Sequence, residues 1–170
     1  MGFTKIDMKT MVPVAQEDSA TCWYAGYRMM FQWAQKPRSS IENFLRWEIG
    51  QDALDECKQR GLLRKYWGNA CYAFGLQGHS GRAKTSYDYV KNLLVIAGPV
   101  IFHYTRNPGI HTIVLIGYDD DSQRFLIIDP WWDAGTAAVA SQYGMHIDAI
   151  SAGIRGSDGW EGVLQHWSGL

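Results

Sequence analysis

Gln16-Glu17-Asp18-Ser19-Ala20-Thr21-Cys22-Trp23-Tyr24-Ala25-Gly26 is a polar loop that runs into a thiol and then into an apolar-periodic segment. After Cys22 the large apolar residues fall at Trp23, Tyr27, Met30, Phe31 and Ala34, the i, i+3, i+4 spacing of one helix face. The spacing predicts a helix over 22–34 that begins at Cys22, with Ser19 or Thr21 as its N-cap. A helix N-terminus favours anions, and the thiolate is the nucleophilic form of cysteine. Gln16 stands six residues before Cys22. A loop folded back over the helix end would bring its carboxamide N–H beside the Cys22 backbone N–H, and two such donors make an oxyanion hole.

Glutamine, a six-residue step and then Cys-Trp at a helix start resembles the nucleophile segment of papain-like cysteine peptidases. That resemblance implies a histidine and then an asparagine or aspartate far downstream on neighbouring strands. His111 in Gly109-Ile110-His111-Thr112-Ile113-Val114-Leu115-Ile116 and Asp129 in Phe125-Leu126-Ile127-Ile128-Asp129-Pro130-Trp131 fit that order. The Gly-Pro-Val-Ile run at 98–101, the Gly-x-His strand and the Asp-Pro step are similar to two bacterial branches, the avirulence-effector peptidases and the bacteriocin-leader-processing peptidases. The resemblance covers residues 10–132 and leaves the last stretch, 133–170, unmatched.

A chain of 170 residues is the size of one domain with a sizeable core, so a single domain over 1–170 is expected. Hydrophobic residues at 46% and charged residues at 19% give an ordinary globular composition without a disordered tract. The net charge of −1, without a basic block, favours neither nucleic acid nor an anionic membrane surface as a partner. The longest apolar runs are too short to span a bilayer. Met1–Asp7 lacks the pattern of a secretory signal peptide, so a chain made in the cytoplasm and exported, if at all, by a specialised secretion system is the expectation. Three separated cysteines, Cys22, Cys57 and Cys71, do not form a disulfide framework, and Cys57 and Cys71 read as structural thiols.

The remaining pattern divides the chain into a helical front and a β rear. Ser39-Ser40-Ile41-Glu42 is a capping-box signature for a helix over 40–48, and Gln51–Arg60 forms another that ends at Gly61. Residues 65–82 read as a loop and as a candidate substrate-binding or lid segment. Thr85 or Ser86 caps a helix over 86–96, which Gly98-Pro99 stops. Residues 100–104, 111–118 and 124–128 are rich in β-branched and aromatic side chains, with a turn at Asp119–Ser122, and predict an antiparallel meander. The fold class is therefore α+β, papain-like, with the active site where the Cys22 helix end meets the sheet.

Among the five histidines only His111 opens an apolar strand beside a glycine, and Asp119–Asp121 lie at a turn tip where solvent would screen them. A zinc site on Cys71 and His79 lacks two further ligands, so neither metal nor cofactor is expected. The resemblance implies thiolate attack by Cys22, proton transfer by His111, orientation by Asp129 and oxyanion binding by Gln16, on a protein or peptide substrate. Alternatives on the same three groups are a transglutaminase-like acyltransferase, a glutamine deamidase and a cell-wall amidase. A papain-like shape that has become an inactive binding module is a further alternative. The biological setting the resemblance implies is a bacterial effector or toxin acting inside a target cell. A cognate inhibitor, immunity or activator protein would bind near Cys22 and the 65–82 segment. Leader-peptide processing inside the producer is the competing setting.

Overall fold

Ile113–Ile116 and Phe125–Ile128 are each four consecutive apolar residues, so neither strand has a polar face to give to water, and both must be covered on two sides. A computed structural model describes residues 2–79, 86–105, 109–131, 141–150 and 162–167. It meets that requirement with helices on both faces of one antiparallel sheet. In chain order the elements are β1 (Thr4–Lys5), α1 (Cys22–Trp33), α2 (Ser40–Ile49), α3 (Gln51–Arg60), a 3₁₀ turn (Arg64–Tyr66), α4 (Trp67–Phe74), β2 (Leu76–His79) and α5 (Tyr87–Ala97). Then follow β3 (Val100–Thr105), β4 (Ile110–Asp119), β5 (Arg124–Asp129), β6 (Ser141–His146) and β7 (Val163–Trp167).

The strands lie in the order β2-β7-β3-β4-β5-β6, and β1 adds to β4. Alternation sorts their side chains into two cores. Ile101, Val114, Ile116, Leu126 and Ile128 face α1–α4, whereas Val100, Phe102, Ile113, Leu115, Phe125 and Ile127 face α5. Helix α1 is buried nearly all round, with Ala25, Met29 and Trp33 joining the predicted face, because α2 packs behind it while the sheet lies in front. The helical front, the antiparallel sheet and the α+β class agree with the sequence. None of the helices among the described residues is long and apolar enough to cross a membrane.

Three local expectations are corrected. Residues 65–79 are not a loop: they form the end of the 3₁₀ turn, α4 and β2, and residues 80–82 of the expected segment lie outside the described residues. Gly68, Asn69 and Gly75 mask a helix whose buried residues, Trp67, Ala70 and Phe74, keep the helical spacing. Cys71 is accordingly helical. The capping box at Ser39 does not form, because Glu42 instead accepts from Lys58 at 2.8 Å. Thr21 occupies the N-cap position of α1, yet its hydroxyl accepts from the Glu17 and Asp18 amides, 3.1 Å each, and so closes the preceding loop rather than the helix. Ser86 does cap α5, accepting from the Tyr89 amide at 3.2 Å.

Candidate active site

The tight loop that Thr21 closes delivers Cys22 to the first position of α1, where the helix amides have no intrahelical acceptor. Asp18 strengthens the loop by accepting from the Ala20 amide at 2.8 Å. Cys22 is buried, and its sulfur faces the start of β4, 3.9 Å from the Ile110 carbonyl oxygen. His111 is the next residue of that strand. In the β4–β5 register Val114 stands opposite Ile128, which carries Asp129 at the end of β5 towards the His111 ring. His111 Nε2 and Asp129 Oδ1 are 2.8 Å apart, both side chains being almost fully buried.

The geometry assigns the two ring nitrogens. Nε2 is held by Asp129, which leaves Nδ1 as the nitrogen free of that pair. Burial alone would discourage a charged imidazole. The hydrogen bond to Asp129 and the neighbouring Cys22 outweigh it and lift the His111 pKa to about 9. The ring therefore holds its proton through neutral pH. Its environment is further fixed by two aromatic edges, Tyr104 at 5.7 Å and Trp131 at 6.1 Å between ring centroids. Tyr104 is opposite His111 in the β3–β4 register. Trp131 closes over the ring from the chain just beyond Asp129, and nothing in its sequence position but the two-residue offset from Asp129 points to that contact.

Gln16 is joined to the same place by a backbone bond, its amide donating to the Pro130 carbonyl at 2.9 Å. Its buried carboxamide donates one N–H to the Asp18 carbonyl at 2.6 Å, and Oε1 has no hydrogen-bond partner among the described residues. The primary amide retains a second N–H. The structure thus sets the Cys22 sulfur against the residue before His111, pairs His111 with Asp129, and ties Gln16 to the residue after Asp129. Asp119 and Asp121 remain at the turn between β4 and β5, where Asp119 serves the turn itself by accepting from the Ser122 hydroxyl. His79 pairs with His166 at 2.7 Å, away from Cys22 in the sheet order, and His103 is buried beneath α1. The His146 side chain lies outside the described residues.

Among curated protein sequences none matches the chain. Its fold is similar to that of xylellain, a cysteine protease from Xylella fastidiosa, with a TM-score of 0.50 at 12% identity, over 97% of this chain and 86% of that one. The family model described as papain-like cysteine protease AvrRpt2 matches residues 4–150, which extends past the 10–132 span legible in the motifs and takes in β1 and β6. A match over most of the length settles the family: the chain is a cysteine peptidase and belongs to the AvrRpt2 papain-like cysteine proteases.

Proposed function

We propose that residues 1–170 form one peptidase domain in which Cys22, His111 and Asp129 are the catalytic triad and Gln16 with the Cys22 amide binds the oxyanion. The observation that carries this reading is the 2.8 Å bond from His111 to Asp129, beside a Cys22 sulfur that lies 3.9 Å from the carbonyl oxygen of the residue before His111. The thiolate of Cys22 attacks the peptide carbonyl carbon. The carbonyl electrons move to oxygen, and the Cys22 amide and the second N–H of Gln16 donate hydrogen bonds to the resulting oxyanion. Charged His111 gives its proton to the departing amine as the C–N bond breaks, leaving a thioester. Neutral His111 then takes a proton from water, whose oxygen attacks the thioester and releases the acid and the thiolate. Asp129 holds the ring orientation and stabilises its charged form throughout.

Incubating the protein with an extract of folded and peptide substrates and sequencing new N-termini tests the reaction. New N-termini that depend on Cys22 are expected. Ammonia release without cleavage would instead identify a deamidase. A second expectation concerns pH: because Asp129 and Cys22 hold the His111 proton up to about pH 9, kcat/KM falls as pH rises through that value. In Asp129→Ala the alkaline limb moves to lower pH, since a group that raises the value is gone. An alkaline limb at the same pH in both proteins would remove Asp129 from the triad.

The Cys-to-His-to-Asp layout resembles that of bacterial effector peptidases, and this supports action as an effector or toxin in a target cell. Control would come from a cognate inhibitor or activator protein near Cys22. Expression in the producer with and without the neighbouring open reading frame reports on that control. Growth inhibition that requires Cys22 and is relieved by the neighbour is expected of a toxin and inhibitor pair.

A further inference from the structure

A polar chain is buried under α1, away from the reacting atoms. Tyr27, His103, Thr112 and Gln165 are all fully shut off from solvent, and come from α1, β3, β4 and β7. Their hydrogen bonds have one consistent direction, set by a fixed end. The Trp67 carbonyl can only accept, so Gln165 Nε2 donates to it at 3.1 Å and Gln165 Oε1 is turned to Tyr27. That oxygen also only accepts, so Tyr27 donates its hydroxyl proton at 2.7 Å. With its one proton spent, the Tyr27 oxygen accepts from His103 Nε2–H at 3.0 Å. Complete burial keeps His103 neutral, which leaves Nδ1 bare to accept from the Thr112 hydroxyl at 2.8 Å.

Burial energy alone does not explain this chain, because apolar side chains of similar volume would fill the space at no smaller stability. Its position does. Thr112 follows His111 on β4, and Tyr27 lies five residues after Cys22 on α1. Between them Gly26 brings the helix against the sheet: a Cβ there would stand 2.8 Å from Ile101 Cδ1 and 2.9 Å from Thr112 Cγ2. Such a contact fixes how near α1 comes to β4 but leaves it free to slide or roll by small amounts. Directional bonds across the same contact remove that freedom.

We infer that Thr112, His103 and Tyr27 are positioning residues for the reaction, holding the helix that carries Cys22 in register with the strand that carries His111. The inference rests on the triad reading above. Two substitutions separate it from simple packing. Thr112→Val keeps the methyl group against Gly26 and loses the hydroxyl; Thr112→Ser keeps the hydroxyl and loses the methyl.

Iodoacetamide is the probe, with alkylation followed on the Cys22 peptide by mass spectrometry at about pH 6 and about pH 10, the second being high enough to ionise an ordinary thiol. Any rate above that of a free thiol at the lower pH would come from His111 within reach of the sulfur, whereas the rate at the higher pH reports access alone. Thr112→Val is expected to react about 10-fold more slowly at the lower pH and unchanged at the higher one, an offset of well under 1 Å being enough for that loss. Its kcat on a labelled casein substrate falls in parallel with KM unchanged, while Thr112→Ser stays within about twofold of the parent. Wild-type rates in Thr112→Val, or a larger defect in Thr112→Ser than in Thr112→Val, overturn the inference. Cleavage that persists in Cys22→Ala overturns the triad reading instead, so the two failures are told apart.

Discussion

Cys22→Ala protein loses peptide hydrolysis by at least about 10⁴-fold while keeping its fold, since an alanine at the first position of α1 removes the attacking atom and little else. His111→Ala falls as far, because nucleophile and base act as a unit, and the loss of either costs nearly what the loss of both does. That substitution also strands the buried Asp129 carboxylate without its imidazole, and breaking a buried pair is strongly destabilising. His111→Gln, which keeps a donor for Asp129, is therefore measured beside it, with circular dichroism and thermal melting on each protein. Asp129→Ala is expected to retain about 10- to 100-fold more activity than either, as an orienting group contributes less than the groups it orients. Gln16→Ala loses about 10²-fold, one oxyanion donor being removed while the Cys22 amide stays. Substantial hydrolysis by Cys22→Ala would end the proposal, and a Gln16→Ala protein as active as the parent would leave the oxyanion to the helix amides alone.

The site was legible in the sequence because its parts sit at the ends of regular elements. Cys22 begins a periodic helix, His111 is the second residue of an apolar strand after a glycine, and Asp129 ends one before a proline; these local patterns agree with the order the resemblance implies. What lay beyond local pattern was whatever depends on a partner distant in sequence. Helix α4 was hidden by Gly68 and Asn69 within it, whose low propensity is overridden by burial of Trp67, Ala70 and Phe74 against the same core that α1 enters. Strand β7 could not be placed, since it inserts between β2 and β3 although it is last in the chain. Trp131 carries no local signal of a role, and only the fold places its ring against His111. Thr21 was read as a cap from its position alone, and the competing acceptor role towards Glu17 and Asp18 is a choice that only the loop geometry makes.

The buried polar chain had one signal in the sequence, a histidine and a glutamine in the middle of apolar strands, Val100-Ile101-Phe102-His103-Tyr104 and Val163-Leu164-Gln165-His166-Trp167. Its titration carries the second large expectation. Burial forces His103 down to about 3, whereas the same residue in the unfolded chain takes a proton near pH 6.5. Between those two values the unfolded state binds a proton that the folded state refuses. The stability His103 permits is thus intact above about pH 6.5 and lost as pH falls from there towards 3, at about 1.4 kcal/mol per pH unit. From pH 6.5 to 4.5 this one group costs about 2 kcal/mol, a large part of the roughly 5–15 kcal/mol that holds a domain together. His111 adds no slope in that window, because its value is raised: its contribution is complete below about pH 6.5 and declines only as pH climbs towards about 9. Urea midpoints at several pH values between about 7 and 4.5 measure the slope. In His103→Gln, where the amide can still bond to Tyr27 or Thr112 and cannot titrate, the acid slope is expected to be shallower by about one proton, with carboxylate contributions common to both proteins. Parallel slopes in the two proteins would mean that His103 takes up its proton in the folded state, and that the chain of bonds from Thr112 to Gln165 does not keep the direction its acceptors impose.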